Sequence, residues 1–118
     1  MSPRVGVLLS RVRVEEKLLL QELESRRVET KVIDDRTLVL PVEKRPELGV
    51  DVVLERCIGH GTALYALAVL STWGVPTVNT YEVAEICGNK LLTTMRLIGD
   101  GVPSPRTRVA RESAAGAD

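Results

Sequence analysis

From Val5 to Leu9 the chain runs apolar without a break, and it does so again from Val52 to Leu54. A strand with one wet face alternates apolar and polar residues. Continuous runs this short predict buried strands of a parallel sheet, covered on both sides. We expect the first strand over Arg4 to Leu9 and a second buried one over Asp51 to Glu55. Val14 to about Arg26 is rich in Glu, Leu, Lys and Gln and predicts a helix. Leu19 and Leu23 share one face of it, with Glu15, Glu22 and Arg26 turned mostly to water. Val28 to Ile33 alternates, and its polar content predicts a strand nearer the sheet edge.

Asp34-Asp35-Arg36 predicts a turn. Thr37 to Val42 is a short extended piece whose Pro41 excludes a central ladder position. Glu43 to Gly49 is a polar loop. Gly59-His60-Gly61 predicts a turn, and Thr62 to Trp73 a helix, apolar at Leu64, Leu67, Ala68 and Leu70 and stopped near Gly74. Val75 to Asn79 is expected as a short strand. Thr80 can cap a helix over Tyr81 to Cys87, and the last helix runs from about Asn89 to Ile98. Arg106 to Ala110 has the pattern of a strand awaiting partners, a liability if left uncovered. Arg111 to Asp118 lacks apolar bulk and is expected to be loosely ordered. Strands alternating with helices imply an α/β fold: a three-layer sandwich with a mainly parallel sheet.

Composition narrows the function classes. The 118 residues carry 16 basic and 16 acidic side chains, a formal net charge of +0. That balance gives no bulk electrostatic reason to bind nucleic acid or an anionic membrane. Aromatics are 3% of the chain, with no Phe, so base-stacking platforms are not expected. Cys57 and Cys87 fit no zinc or redox spacing and are expected as buried, reduced thiols. Met1 to Ser10 lacks the apolar run of a signal peptide, and no stretch approaches the length of a membrane span. A cytoplasmic location is the expectation.

In an open parallel sheet, ligands bind beyond the carboxyl ends of the strands. Three places qualify: Ser10-Arg11-Val12-Arg13, then Glu55-Arg56 with Gly59-His60-Gly61, then Asn79-Thr80. The glycine–histidine–glycine turn leads into a helix N-terminus that could hold an anion, or it is a plain tight turn. Glu55-Arg56 is either a solvated strand end or a pair pointing into a cleft, where the Arg56 fork would suit a carboxylate. Lys90 opens a helix, where a cation opposes the helix dipole. That unfavourable placement suggests reach toward a phosphate, and the alternative is an ordinary solvated lysine.

Several strings also resemble a known family. They are Val52-Val53-Leu54-Glu55-Arg56-Cys57, Ala63-Leu64-Tyr65-Ala66-Leu67, Trp73-Gly74-Val75-Pro76-Thr77-Val78-Asn79, Glu82 to Lys90, and Gly101-Val102-Pro103-Ser104-Pro105-Arg106-Thr107. Together they resemble the RimK/LysX-type ATP-grasp carboxylate–amine ligases, and Leu-Glu-Arg-Cys favours the group that joins 2-aminoadipate to a small amino-group carrier protein. The resemblance covers nearly the whole chain. It implies a Rossmann-like preATP-grasp domain over residues 1–88, with a linker helix and first strand of an ATP-grasp domain over 89–118. It implies ATP and magnesium in the full-length parent, with a carboxylate phosphorylated and then attacked by an amine, in lysine or arginine biosynthesis. Lys90 aligns with the family lysine that touches the nucleotide phosphates, though the usual Asp-Lys pair is Asn89-Lys90 here. Glu55, Arg56, Gly59, His60 and Asn79 would face substrate or a domain interface.

The resemblance further implies that the second lysine, the glycine-rich loop and the magnesium carboxylates lie beyond residue 118. The expectation is therefore an N-terminal domain inactive alone, partnered by the missing lobes, a small acidic carrier protein and an amino-acid substrate. Tight binding of ATP or a metal by this chain is not expected. An apolar face where later lobes dock could drive homo-oligomerisation. Two other readings stand beside it: a free-standing α/β binding module without catalysis, and a complete small enzyme using His60 or Cys57.

Overall fold

The apolar run Arg4–Leu9 is β1, the most enclosed strand of the fold, with every residue after Arg4 buried. A computed structural model describes residues 2–111, and within it the chain divides into two units, one ending at Glu85 and one starting at Ile86. In the first unit β1 is followed by α1 (Val14–Ser25), β2 (Glu29–Asp34), β3 (Val52–Arg56), α2 (His60–Thr72) and β4 (Thr77–Val78). α3 (Tyr81–Cys87) leads to the second unit, which holds α4 (Lys90–Gly99).

The sheet has the order β2-β1-β3-β4 and every pairing is parallel. β1 runs from Arg4 beside Glu29 to Leu9 beside Asp34 on one flank, and from Val5 beside Val52 to Leu9 beside Arg56 on the other. The alternating, more polar β2 takes the edge, as its pattern predicts. The two continuous apolar runs take the centre.

Alternate residues of β1 feed two separate cores, because strand side chains point to opposite faces. Val5, Val7 and Leu9 pack with Leu19, Leu20 and Leu23 of α1. Leu8 packs with Val53 of β3, Ala66 and Leu70 of α2, and Val75. Helices on both faces make the expected three-layer α/β sandwich. Leu38 and Leu40 lie against the α2-side core without joining the ladder, consistent with the proline beside them.

The helix ends show why some boundaries shift. α2 begins at His60, two residues earlier than its sequence suggests, because Gly59 is extended and its carbonyl accepts from Ala63 N at 3.0 Å. At its other end Gly74 is left-handed (φ +74°), Gly74 N donates to Ser71 O and Val75 N to Leu70 O, each at 3.0 Å. That is a complete Schellman stop. It commits Val75 to the helix end, and Pro76 has no N–H, so β4 shrinks to two residues. α1 closes in the same way at Arg27 (φ 56°) and α4 at Gly101 (φ 76°).

Two further expectations are corrected. Cys57 is only half-buried and Cys87 is exposed, because α3 buries none of its residues. Arg106 to Ala110 carries no strand, having no partner strand beside it among the described residues. The expected loose tail lies, beyond Arg111, outside the described residues.

Candidate functional site

The carboxyl ends of the four strands bring together side chains from Ser10, Asp34, Arg56 and Asn79 or their neighbours. Above β1, the Ser10 hydroxyl donates to Asp35 Oδ2 at 2.6 Å and accepts from Ile58 N at 3.0 Å. One oxygen thus joins the segments that come after β2 and β3. Arg36 folds back on Asp34, donating from Nη2 at 2.7 Å and from its backbone N at 2.9 Å, and holds that carboxyl down at about 2. The Cys57 thiol is pushed well up by burial and by the neighbouring Asp35 and Glu55. Those surroundings favour the protonated thiol over the thiolate nucleophile, which weighs against the small-enzyme reading that relied on it.

Glu16 is the unexpected member. It is fully buried, at the third position of α1, where a carboxylate also complements the helix dipole. Its Oε1 accepts from both Nε and Nη2 of Arg13, the residue that precedes the helix, and lies 4.0 Å from Arg56 Nη2. The Arg13 hydrogen bond lowers the Glu16 carboxyl below its ordinary range despite the opposing effect of burial. Its second oxygen, Oε2, has no partner. A buried anion is tolerated only when cations hold it, and here two guanidinium groups do so. Sequence reasoning missed this residue amid Val-Glu-Glu-Lys. A signal was present: positions 16, 19, 20 and 23 form one helical stripe, and the other three are leucines.

Beside this triad lies a cleft of about 400 Å³ between α1 and the ends of β3 and β4, lined by Glu15, Leu19, Leu54, Glu55, Arg56, Val78 and Asn79. Its size falls in the usual range of small-molecule sites, about 300–1,000 Å³. Leu19, Leu54 and Val78 give it an apolar wall. Glu55 accepts from Cys57 N at 2.6 Å, which fixes one of its oxygens. Arg56 is 40% exposed, and Glu16 is its ion-pair partner among the described residues. The Val78–Asn79 peptide at the cleft rim is cis.

Three sequence-selected residues, Glu55, Arg56 and Asn79, therefore converge. Gly59 and His60 do not line the cleft: Gly59 precedes α2 and His60 is its exposed first residue. Lys90 opens α4 in the second unit and is exposed. Asn89 Oδ1 accepts from Leu91 N at 3.0 Å and Leu92 N at 3.2 Å, so the cap expected from asparagine forms. Those two N–H groups are already satisfied, so what that helix end offers an anion is the Lys90 ammonium rather than these two donors. Among the described residues no three His, Cys, Asp or Glu side chains come together to hold a metal ion. No described helix is long and apolar enough to cross a membrane.

The chain is 38% identical over 108 residues to a Glutamate–LysW ligase ArgX of Sulfurisphaera tokodaii, an alignment covering 91% of this chain and 38% of that protein. It is 39% identical over 111 residues to the Glutamate–LysW ligase ArgX of Sulfolobus acidocaldarius, covering 93% and 39%. The chain thus spans about two-fifths of the length of these relatives. Its fold matches a RimK domain ATP-grasp protein of Sphaerobacter thermophilus with a TM-score of 0.78 at 27% identity, over 95% of this chain and 42% of that one. Residues 5–86 match the LysX preATP-grasp domain, and with the parallel sheet, the two-sided core and these relatives, the chain belongs to the LysX preATP-grasp family of the RimK/LysX-type ATP-grasp proteins.

Proposed function

We propose that this chain is the N-terminal domain of an ATP-dependent carboxylate–amine ligase that joins an amino acid to a small acidic amino-group carrier protein. The observation that carries the reading is the alignment of more than nine-tenths of the chain with Glutamate–LysW ligases. Because those relatives name glutamate, glutamate stands ahead of 2-aminoadipate as the amino acid, and arginine ahead of lysine as the pathway served. Residues 1–88 act as the preATP-grasp domain and 89–118 as the entry to the ATP-grasp lobes. The location is cytoplasmic.

The reading divides the work by what each part holds. Phosphoryl transfer depends on positioning and on metal and cationic stabilisation of charge. One lysine without metal carboxylates does not supply that, so the acyl-phosphate chemistry and the ATP and magnesium it needs belong to polypeptide outside this chain. This chain contributes Lys90 as one contact to the nucleotide phosphates. It also contributes the rim around Glu55, Arg56 and Asn79, facing substrate or a neighbouring lobe, with Gly59 and His60 at the periphery. The test is a longer polypeptide carrying the downstream lobes, assayed for ATP- and glutamate-dependent amide formation on the carrier. It turns over, the 118-residue chain alone does not, and Lys90→Ala raises the apparent KM for ATP. Turnover by the short chain, or ATP kinetics untouched by Lys90→Ala, overturns the reading.

A further inference from the structure

We infer that the cleft beside β3 binds an amino acid through Arg56, and that Glu16 is the positioning residue that aims the Arg56 guanidinium. The inference deepens the ligase reading and rests on it only for the amino-acid class.

A guanidinium on a long side chain is a strong carboxylate ligand only when its fork is held in one orientation. Arg56 sits at the carboxyl end of β3, half-exposed and lining the cleft. Its Nη2 faces the Glu16 carboxylate at 4.0 Å. Glu16 cannot drift, because it is fully buried and already gripped by both Nε and Nη2 of Arg13. Arg13 is in turn fixed at the start of α1. The chain of contacts therefore runs from the helix start, through a buried anion, to a cation at the cleft edge. The buried carboxylate cancels one of two adjacent positive charges, and its own Oε2 remains unpartnered.

The lining selects the ligand. Arg56 offers a site for a carboxylate. Leu19, Leu54 and Val78 accept a methylene stem. Glu15 and Glu55 at the same cleft repel a plain dianion and attract an ammonium. A molecule carrying carboxylate and ammonium on a short aliphatic stem satisfies all three conditions, and an amino acid is the smallest such molecule.

The test uses the 118-residue chain and follows the Arg56 Nε–H resonance by NMR during titration with L-glutamate, glutarate and chloride. L-Glutamate shifts the resonance, and glutarate, which lacks the ammonium, binds more weakly. Arg56→Gln abolishes the saturable response to L-glutamate at the remaining cleft resonances. Glu16→Gln separates positioning from charge. Removing the negative charge strengthens the attraction of both glutamate and chloride, whereas freeing the guanidinium weakens glutamate relative to chloride. The glutamate-to-chloride affinity ratio falls roughly tenfold or more, the scale of one charge-assisted hydrogen bond. Glu16→Asp restores part of that ratio. Core methyl resonances of Val53 and Leu67 stay in place in every variant used. No Arg56 shift with L-glutamate, or a retained response in Arg56→Gln, overturns the site. Equal binding of glutarate overturns the amino-acid assignment. An unchanged affinity ratio in Glu16→Gln overturns the positioning role. None of these readouts involves ATP or turnover, so they fail independently of the ligase reading.

Discussion

Replacing Gly6 with alanine tests how closely the sheet is packed beneath α2. A Cβ built at position 6 lies 3.1 Å from Ile33 Cδ1, 3.3 Å from Val50 Cγ1 and 3.4 Å from Val53 Cγ2. Carbon pairs rest at about 3.5–4.0 Å, so the contacts to Ile33 and Val50 are short and the one to Val53 is at the limit of ordinary contact. Val53 is fully buried and Val50 nearly so; neither can step aside without moving β3 or the loop before it. Ile33 is half-buried, and its terminal methyl can rotate away. Overpacking of this kind costs about 1–3 kcal/mol. Alanine returns about 0.4–1 kcal/mol by restricting the unfolded chain. The steric cost wins, with a net loss of about 1 kcal/mol and an upper end of about 2.5. The assay is urea unfolding monitored by circular dichroism: the midpoint falls while the slope is unchanged. Ile33→Val removes the nearest carbon. The double variant Gly6→Ala/Ile33→Val therefore loses less stability than the two single losses summed, by about 0.5 kcal/mol or more. A Gly6→Ala protein as stable as its parent, or strictly additive losses, would refute the packing argument.

Arg27 holds a left-handed conformation at the end of α1 (φ 56°), which costs a non-glycine residue about 1–2 kcal/mol. Arg27→Gly therefore raises the thermal midpoint, after the opposing glycine entropy of about 0.5–1 kcal/mol; a fall would show that the arginine side chain stabilises that turn. The Asp34 carboxyl is held at about 2 by Arg36, below its ordinary value near 4 (~3.9). A depressed folded pKa gives stability that is present above the unfolded value and lost as pH falls through the folded one. Stability therefore drops between about pH 4 and pH 2 more steeply in the parent than in Asp34→Asn, and parallel urea-midpoint curves would remove the Arg36 pairing as its cause. A thiol reagent at neutral pH modifies the exposed Cys87 quickly and Cys57, half-buried and held protonated, slowly. Mass spectrometry of partly labelled protein reads the order, and equal rates would contradict the environment of Cys57.

The sheet was legible because its central strands are continuous apolar runs and its edge strand alternates, and those patterns come directly from how many faces a strand buries. The caps at Thr80 and Asn89 were legible too, since each side chain accepts from the helix it precedes. Boundaries were less so. Val75 looks like strand but is held by the helix stop, because a backbone bond to Leu70 O wins over local propensity. Cys87 looks buried by residue type, yet it ends a helix that buries nothing. In the site, Glu55, Arg56 and Asn79 are legible because they stand at the carboxyl ends of apolar strands, where a parallel sheet opens to ligands. Glu16 is not, because the same tetrapeptide suits a solvated helix start; only its register with Leu19, Leu20 and Leu23 distinguishes it.

Strand order reverses at β1, between β2 on one flank and β3 on the other. Such a reversal ordinarily leaves a notch where a guest settles. In this protein the Ser10 hydroxyl stands at that point and commits its bonds to Asp35 and Ile58. The apolar wall of the cleft described above lies to one side of it, on the flank where Val78 stands 52% exposed. A single serine thus ties down the chain where the strand order turns, and the open ground is left beside the arginine next door.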